Sequence, residues 1–236
     1  MQAGVIAVQG DVSEHAAAIE RAAEAHGEAA EVVEIRQSGT VPDCDVLLMP
    51  GGESTAISRL LAREGIDAEI RDHVAAGKPV LATCAGLIVA STDAKDDRVD
   101  TLDLLDVTVD RNAFGRQKDS FEAPLDVEGL DSPFPAVFIR APLIDEVGEA
   151  GKRRERSERR QTASEASGEE RPASTGDGSG APINDGDDVE VLARWDGDPV
   201  AVRQGPVVGT SFHPELTADS RIHDLAFFDT VEVAGQ

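Results

Sequence analysis

Tyrosine is absent from this chain of 236 residues, aromatic residues make up only 3%, and there are only two cysteines, Cys44 and Cys84. Two cysteines are too few for a disulfide framework, so we expect Cys44 to be a small buried apolar residue. No apolar run approaches the roughly 20 residues that cross a bilayer, which argues against a membrane protein. The apolar run at 5–8 has no basic leader ahead of it, so we expect a cytoplasmic location.

Basic side chains are also scarce. The sequence has 22 lysines and arginines against 46 aspartates and glutamates, a formal net charge of −24. Nucleic-acid binding requires cations that neutralise phosphates, so this balance argues against nucleic-acid partners. Like charges at this density repel one another unless salt screens them. We interpret the composition as adaptation to a salt-rich cytoplasm, such as that of a halophile; an ordinary acidic surface is the alternative.

Strand and helix patterns alternate through the first hundred residues. Apolar runs predict strands at 5–8, 31–35, 46–49 and 80–82, and helical spacing predicts helices at 12–26, 54–63, 67–76 and 86–91. This alternation favours a largely parallel sheet wrapped by helices. Beyond residue 100 the pattern is β-rich, with strands predicted at 104–109, 121–125, 136–139, 189–195, 199–203 and 207–212, and a closing helix at 220–231.

One segment departs from this pattern. Residues 151–186 are rich in Gly, Ser, Arg and Glu and have almost no large apolar side chains, and their seven basic and seven acidic residues cancel. Such a segment cannot bury enough surface to offset its ordering entropy, so we expect a mobile low-complexity insertion within a single domain spanning 1–236. The basic run at 152–156 would suit an acidic partner, but a solvated insertion without a partner is the simpler interpretation.

The chemistry-bearing feature is Cys84, which stands between a short apolar strand and an apolar helix. A nucleophile on such a sharp strand-to-helix turn is held out of the backbone, with N–H groups of the helix start facing what it attacks. About 130 residues later, His213 and Glu215 stand two positions apart. In a strand these positions share one face, so both side chains can point the same way. Cysteine, histidine and carboxylate together are typical of an acyl-transfer enzyme.

A pair of glycines, Gly51 and Gly52, ends the third predicted strand. A turn without side chains lets a backbone N–H approach a developing oxyanion, together with the N–H of Ala85 after the nucleophile. The sequence therefore predicts an oxyanion hole formed by Gly51, Gly52 and Ala85.

Six short motifs follow one another along the chain: Val8-Gln-Gly-Asp-Val-Ser-Glu-His15, Leu48-Met-Pro-Gly-Gly-Glu-Ser-Thr55, Ala82-Thr-Cys-Ala-Gly86, Arg111-Asn-Ala-Phe-Gly-Arg116, Phe138-Ile-Arg-Ala-Pro142 and Ser211-Phe-His-Pro-Glu215. Any one of them alone is weak evidence. In this order the chain resembles the class I glutamine amidotransferases and, within them, the glutaminase subunits of pyridoxal 5′-phosphate synthases. The resemblance covers nearly the whole chain except about residues 150–186.

The resemblance implies a three-layer, flavodoxin-like α/β domain, mostly parallel sheet with an added β-rich region. It implies that Cys84 attacks the side-chain amide of L-glutamine, that His213 takes the thiol proton and returns it to ammonia, and that Glu215 holds the imidazole. Glutamine would be hydrolysed to glutamate through a thioester on Cys84. Ammonia would pass to a separate synthase subunit, in a large hetero-oligomer that makes pyridoxal 5′-phosphate.

The resemblance also implies a binding pocket and a docking face. Glutamine would be bound by Gly51, Gly52, Glu53, Arg111, Ile139 and Arg140. Arg140 stands within an apolar strand, between Ile139 and Ala141, and would be costly to bury there without an anion. The synthase subunit would dock on a face that includes Gln9, Gly10 and His15. No metal and no organic cofactor is implied, since the sequence spacings form no ligand cluster.

The chain shows two departures from the family pattern and leaves three alternatives open. Ala82 stands where the family's turn usually has glycine, which raises a question about the turn geometry, and the 151–186 insertion is foreign to the family pattern. A glutaminase serving another synthase, such as imidazole glycerol phosphate synthase, would keep the same catalytic residues. A cysteine hydrolase of the related protease-like group would share the turn at Cys84. A non-catalytic regulatory subunit would tolerate loss of Cys84, His213 and Glu215, all of which are present.

Overall fold

The computed structural model describes residues 1–10, 12–111, 120–148 and 188–228. The predicted insertion at 151–186 lies outside the described residues, and so do residues 112–116 of one motif and 229–231 of the predicted closing helix.

The described residues form twelve strands, five α-helices and two 3₁₀ turns. The strands are β1 Gln2–Ile6, β2 Glu31–Ile35, β3 Val46–Met49, β4 Val80–Thr83, β5 Ser91–Asp93, β6 Leu105–Asp110, β7 Phe121–Leu125, β8 Phe134–Phe138, β9 Leu143–Val147, β10 Glu190–Trp195, β11 Asp198–Gln204 and β12 Val207–Thr210. The helices are α1 Val12–Ala25, α2 Ser54–Glu64, α3 Ile66–Ala75, α4 Ala85–Ala90 and α5 Arg221–Phe227, and the 3₁₀ turns are Val41–Asp43 and Pro214–Leu216.

A seven-stranded sheet in the order β10-β11-β12-β4-β3-β1-β2 forms the centre of the fold. The five strands from β12 to β2 are mutually parallel, while β10 and β11 extend the sheet antiparallel beyond β12. A three-stranded sheet, β5-β6-β9, and the pair β7-β8 are separate from it. The predicted mixed α/β fold with a mostly parallel sheet and an added β-rich region is confirmed.

Helices cover both faces of the central sheet. Successive side chains of a strand point to opposite faces, so neighbouring residues of one strand pack against different helices. Leu47 of β3 is fully buried in the apolar cluster that contains residues of α2 and α3. Its neighbour Leu48 is buried in a different cluster, with Ile19 and Ala22 of α1. Cys44 is also fully buried in the first cluster, as the sequence predicted for a small apolar residue.

The sequence placed most elements correctly and some boundaries incorrectly. The strands predicted at 31–35, 46–49 and 121–125 are confirmed to the residue. The first strand was expected at 5–8 but spans Gln2–Ile6, because Gln2 and Ala3 already pair with β2. Strands β5 and β9 were not predicted; β9 contains Asp145 and Glu146, which favour other conformations, and pairing with β6 overrides that preference. None of the described helices is long and apolar enough to cross a membrane.

The buried position of Leu47 yields a stability prediction. Leu47→Ala removes a fully buried side chain from the sheet core and should lower the free energy of unfolding by about 2–5 kcal/mol. Leu216→Ala is the matched control, because Leu216 is 40% exposed and should change the free energy of unfolding by less than about 0.5 kcal/mol. Urea unfolding at constant high salt measures both. Equal losses for the two variants would contradict the assigned core.

Candidate active site

The candidate site lies at the carboxyl ends of the parallel strands, where open α/β sheets usually bind ligands. Strands β1, β3, β4 and β12 run in the same direction, so the segments that follow them reach the same edge of the sheet. Those segments carry Gln9, Gly51, Cys84 and His213 respectively. Four distant parts of the sequence are thereby brought to one place by strand order alone.

Cys84 occupies the junction of β4 and α4 in a strained conformation. Its backbone has φ 49° and ψ −106°, a region that residues with a side chain adopt rarely. The Cys84 N–H donates to the Thr210 carbonyl of the neighbouring strand at 2.8 Å, and its carbonyl accepts from Ile88 N–H at 3.2 Å. The sharp strand-to-helix turn is therefore present with Ala82 in β4, so the methyl group at that position does not prevent it.

His213 and Glu215 are in contact, although not through the strand geometry that the sequence suggested. Strand β12 ends at Thr210, and His213 instead precedes the 3₁₀ turn Pro214–Leu216. This turn brings His213 Nδ1 to 2.7 Å from Glu215 Oε1. The His213 backbone N–H is fixed by the Val137 carbonyl of β8 at 2.9 Å. The expected pair thus forms by a different local structure.

The protonation of this pair is set by buried hydrogen bonds. Burial opposes the charged form of His213, but hydrogen bonds with Cys84 and Glu215 outweigh it and raise the pKa of His213 to about 10. Burial likewise opposes ionisation of Glu215, yet hydrogen bonds from His15 and His213 hold its pKa well below the usual value. A buried carboxylate and an imidazolium beside a thiol fit nucleophilic acyl transfer.

His15 lies inside the protein, which corrects the expectation that it forms part of a docking face. Its side chain is fully buried, with Nε2 at 3.3 Å from Glu215 Oε1 and 3.2 Å from Thr83 Oγ1. The sequence contained a signal for this position. His15 shares the helical spacing of the apolar residues on α1, and these form its buried face: His15, Ala18, Ile19, Ala22 and Ala23.

Both glycines of the predicted oxyanion loop have a steric reason to be glycine. A Cβ atom on Gly51 would lie 2.7 Å from His213 Cε1, so a side chain there would displace the imidazole. Gly52 has φ 148°, and a Cβ atom there would lie 2.5 Å from Gln9 Oε1. The same Gln9 oxygen accepts the Glu53 N–H at 2.8 Å. Gln9, a residue expected on the docking face, is thus hydrogen-bonded to the glycine loop.

Beside the thiol is a cavity of about 470 Å³. Most of the residues expected to bind glutamine line it, together with Ser54 and Ile88, which the sequence did not single out: Gln9, Gly52, Glu53, Ser54, Cys84, Ala85, Ile88, Arg111, Ile139, Arg140 and His213. Gly51 is not among the lining residues but lies against His213. Among the described residues no cluster of His, Cys, Asp and Glu has the arrangement of a metal site.

Charged groups of both signs stand at the mouth of this cavity. Glu53 is the N-cap of α2, and its side chain accepts the N–H groups of Thr55 at 3.2 Å and Ala56 at 2.7 Å. Despite the opposing effect of burial, these bonds lower the pKa of Glu53. Arg111 Nη2 lies 3.4 Å from Glu53 Oε1, and its Nη1 lies 3.1 Å from Asp96 Oδ2.

Arg140 does not lie where the sequence suggested. Strand β8 ends at Phe138, and Arg140 follows it in a bend with φ 44° and an exposed side chain. It is therefore not a cation buried in a strand, and the argument from the difficulty of burying it fails. It nevertheless lines the cavity, so its guanidinium is available to an anionic group there.

Comparison with known proteins gives a consistent answer. The chain is 67% identical over 229 residues to a protein of Halobacterium salinarum named pyridoxal 5′-phosphate synthase subunit PdxT, covering 97% of this chain and 94% of that protein. A protein of the same name from Methanothrix thermoacetophila is 45% identical over 94% of this chain and 96% of its own length. A crystal structure described as a glutamine amidotransferase superimposes with a TM-score of 0.71 at 37% identity, covering 95% of this chain and 96% of that one.

The family model described as the SNO glutamine amidotransferase family matches residues 5–166, which include Cys84 and both predicted glycines. Its match and the curated relatives agree with the geometry at the sheet edge. The chain belongs to the SNO glutamine amidotransferase family.

Proposed function

We propose that this chain is the glutaminase subunit of a pyridoxal 5′-phosphate synthase, acting in the cytoplasm. It hydrolyses L-glutamine to L-glutamate and ammonia through a thioester on Cys84 and delivers the ammonia to the synthase subunit. The observation that carries the proposal is the placement of Cys84, His213 and Glu215 at one sheet edge. The curated relatives have the name of this synthase subunit, and the chain matches them over nearly their whole length. This favours the assignment over another amidotransferase.

The reaction begins with the thiol of Cys84. His213 already holds the thiol proton, because its pKa of about 10 keeps the imidazole charged at neutral pH, and the sulfur attacks the side-chain carbonyl carbon of glutamine. His213 Nδ1 is hydrogen-bonded to Glu215 Oε1, so the proton exchanged with the thiol is on the other ring nitrogen, Nε2. The resulting oxyanion accepts hydrogen bonds from the Ala85 N–H and the Gly51–Gly52 loop.

The intermediate collapses when the carbon–nitrogen bond breaks and His213 returns the proton to the leaving nitrogen, which departs as ammonia. A water molecule then gives a proton to His213 and attacks the thioester carbon. Breaking the carbon–sulfur bond releases glutamate, and His213 is again protonated beside the sulfur, as at the start of the cycle. Each proton taken by His213 is given back within the cycle, so no other acid or base is needed.

Substrate recognition is assigned to the charges at the cavity mouth. The α-ammonium group of glutamine suits the Glu53 carboxylate, and its α-carboxylate suits the guanidinium groups of Arg111 and Arg140. Ile139 supplies apolar contact to the methylene groups between them. A cavity of about 470 Å³ is ample for an amino acid of this size.

Docking of the synthase subunit is assigned to the surface at Gln9 and Gly10. Gln9 Oε1 accepts the Glu53 N–H, and a Cβ on Gly52 would touch that same oxygen. A partner that moves the Gln9 side chain therefore acts directly on the glycine loop. Through this contact, docking can orient the oxyanion donors and so raise activity.

The first test measures glutamate release from glutamine in high salt, with and without the cognate synthase subunit. We expect the synthase subunit to stimulate release, and Cys84→Ala to lower it by at least about a thousandfold because the nucleophile is lost. Cys44→Ala, which removes the other cysteine from the core, should retain activity. Release that the synthase subunit does not alter would contradict the pathway assignment, and release that survives Cys84→Ala would contradict the mechanism.

The pKa of His213 yields a second prediction. Its value of about 10, against the usual 6.5, means that His213 stays protonated at pH 8. The raised pKa stabilises the fold fully below about pH 6.5, and this contribution is lost as the pH rises through about 10. Cys84→Ala should lower the midpoint because it removes one of the hydrogen bonds that favour the charged form.

NMR of ¹³C-labelled histidine Cε1 measures this titration, with His213→Asn to assign the signal. His73 is the internal control, because burial lowers its pKa to about 4 and keeps it neutral from pH 6 to 10. A His213 signal that titrates near 6.5 in both the unaltered chain and Cys84→Ala would refute the proposed pairing with the thiol.

A further inference from the structure

Glu215 is a buried carboxylate with two imidazoles at the same oxygen. Its side chain is 1% exposed, and Oε1 lies 2.7 Å from His213 Nδ1 and 3.3 Å from His15 Nε2. Among the described residues, the second oxygen, Oε2, has no hydrogen-bond partner. The carboxylate is therefore held through Oε1 alone.

This arrangement leaves the orienting role of Glu215 incomplete without a further contact. A carboxylate fixes the direction of an imidazole only if the carboxylate is itself fixed. If His15 were absent, the one remaining side-chain partner of Glu215 within the described structure would be His213, the group that Glu215 is meant to hold. His15 supplies the independent anchor.

We propose that His15 is a positioning residue of the active site: its Nε2–H donates to Glu215 Oε1 and fixes the carboxylate that orients His213. This inference rests on the glutaminase function proposed above and adds a residue to its machinery. His15 does not touch the cavity, so its effect on the reaction passes through Glu215 and His213.

The surroundings of His15 determine which ring nitrogen carries the proton. Nε2 faces an ionised carboxylate at 3.3 Å, and a lone pair there would repel it, so the proton is on Nε2. The Thr83 hydroxyl at 3.2 Å from the same nitrogen is a weaker acceptor, because it carries no charge. Thr83 directly precedes Cys84, so His15 lies between the nucleophile's strand and the residue that orients the base.

The backbone around Glu215 is held by the same helix. Helix α1 packs against the 3₁₀ turn Pro214–Leu216. From α1, Arg21 Nη2 donates to the Thr217 carbonyl at 3.0 Å, just beyond that turn. Contacts from one rigid element on both the side chain of Glu215 and the chain that follows it are what precise positioning requires.

A buried histidine is a poor choice if the position only has to be filled. The other buried positions on this face of α1 are Ala18, Ile19, Ala22 and Ala23, all apolar. An imidazole in such a place must offset the desolvation of two ring nitrogens, and Nδ1 of His15 has no partner among the described residues. The contact made by Nε2 is the compensation that the structure offers.

The test compares His15→Leu, His15→Gln and His73→Leu, each in the full chain with the synthase subunit present. Leucine keeps an apolar volume without a donor, whereas the glutamine amide nitrogen reaches about as far as Nε2 and restores the donor. His73 is a histidine of similar burial that hydrogen-bonds to the Pro79 carbonyl, away from the cavity. Urea unfolding of each variant separates loss of fold from loss of positioning.

We expect His15→Leu to lower kcat about ten- to a hundredfold, the scale of one lost hydrogen bond to a charged group. KM should stay within about twofold, since substrate contacts are unchanged. His15→Gln should recover most of the activity. In a Glu215→Ala background, measured with radiolabelled glutamine, His15→Leu should cause no further loss, because its target is already gone.

Three results would overturn the proposal: a loss in His15→Leu no larger than in His73→Leu, an equal loss in the Glu215→Ala background, or no recovery in His15→Gln. A readout without turnover separates this proposal from the proposed function. The downfield proton signal of His213 Nδ1–H should shift or broaden in His15→Leu and persist in His15→Gln. If the unaltered chain with its synthase subunit releases no glutamate, the proposed function is wrong. Independently of that result, an unchanged His213 Nδ1–H signal in His15→Leu would refute the positioning role of His15.

Discussion

The site depends on the pairing of two parallel strands, β4 and β12. Where β4 ends, the Cys84 N–H donates to the Thr210 carbonyl at the end of β12, at 2.8 Å. This bond holds Cys84 in a conformation of positive φ that an isolated peptide would rarely adopt. Beyond the same two points the chain turns into α4 on one side and toward His213 on the other. The distance between nucleophile and base is therefore fixed by sheet register, which is among the stiffest features of the fold.

Aromatic side chains, although few, are concentrated behind the base. Phe212 directly precedes His213 and is fully buried, with its ring centroid 5.7 Å from those of Phe134 and Phe138. Phe121 and Trp195 extend this cluster through stacked and tilted contacts. Large rigid rings restrict the backbone that they pack against. In a core otherwise built mainly from Ala, Val, Leu and Ile, the scarce aromatic residues support the segment that carries His213.

Much of this architecture was predictable from the sequence, because apolar runs bounded by glycine and proline mark buried parallel strands clearly. The positions of Cys84 and the glycine loop followed from that pattern. The errors have physical reasons. Strand β9 forms because it pairs with β6, not because of its own composition. Arg140 is exposed because β8 ends at Phe138, two residues before it. The resemblance assigns His15 to the docking face, whereas its helical spacing with Ala18, Ile19 and Ala22 indicates the apolar face of α1.

Because of the strand order, the shape of the site does not depend on the length of the chain between β4 and β12. After β4 the chain leaves the central sheet, builds two small sheets, and rejoins the centre only at β10, just before β12 returns beside β4. Since β4 and β12 are neighbours whatever lies between them, residues can be gained or lost in the intervening sequence without changing the register that sets the catalytic distance. The entropy of closing such a connection grows only slowly with its length. In this fold, the connection between β9 and β10 can therefore vary in length while Cys84 and His213 keep their places at the sheet edge.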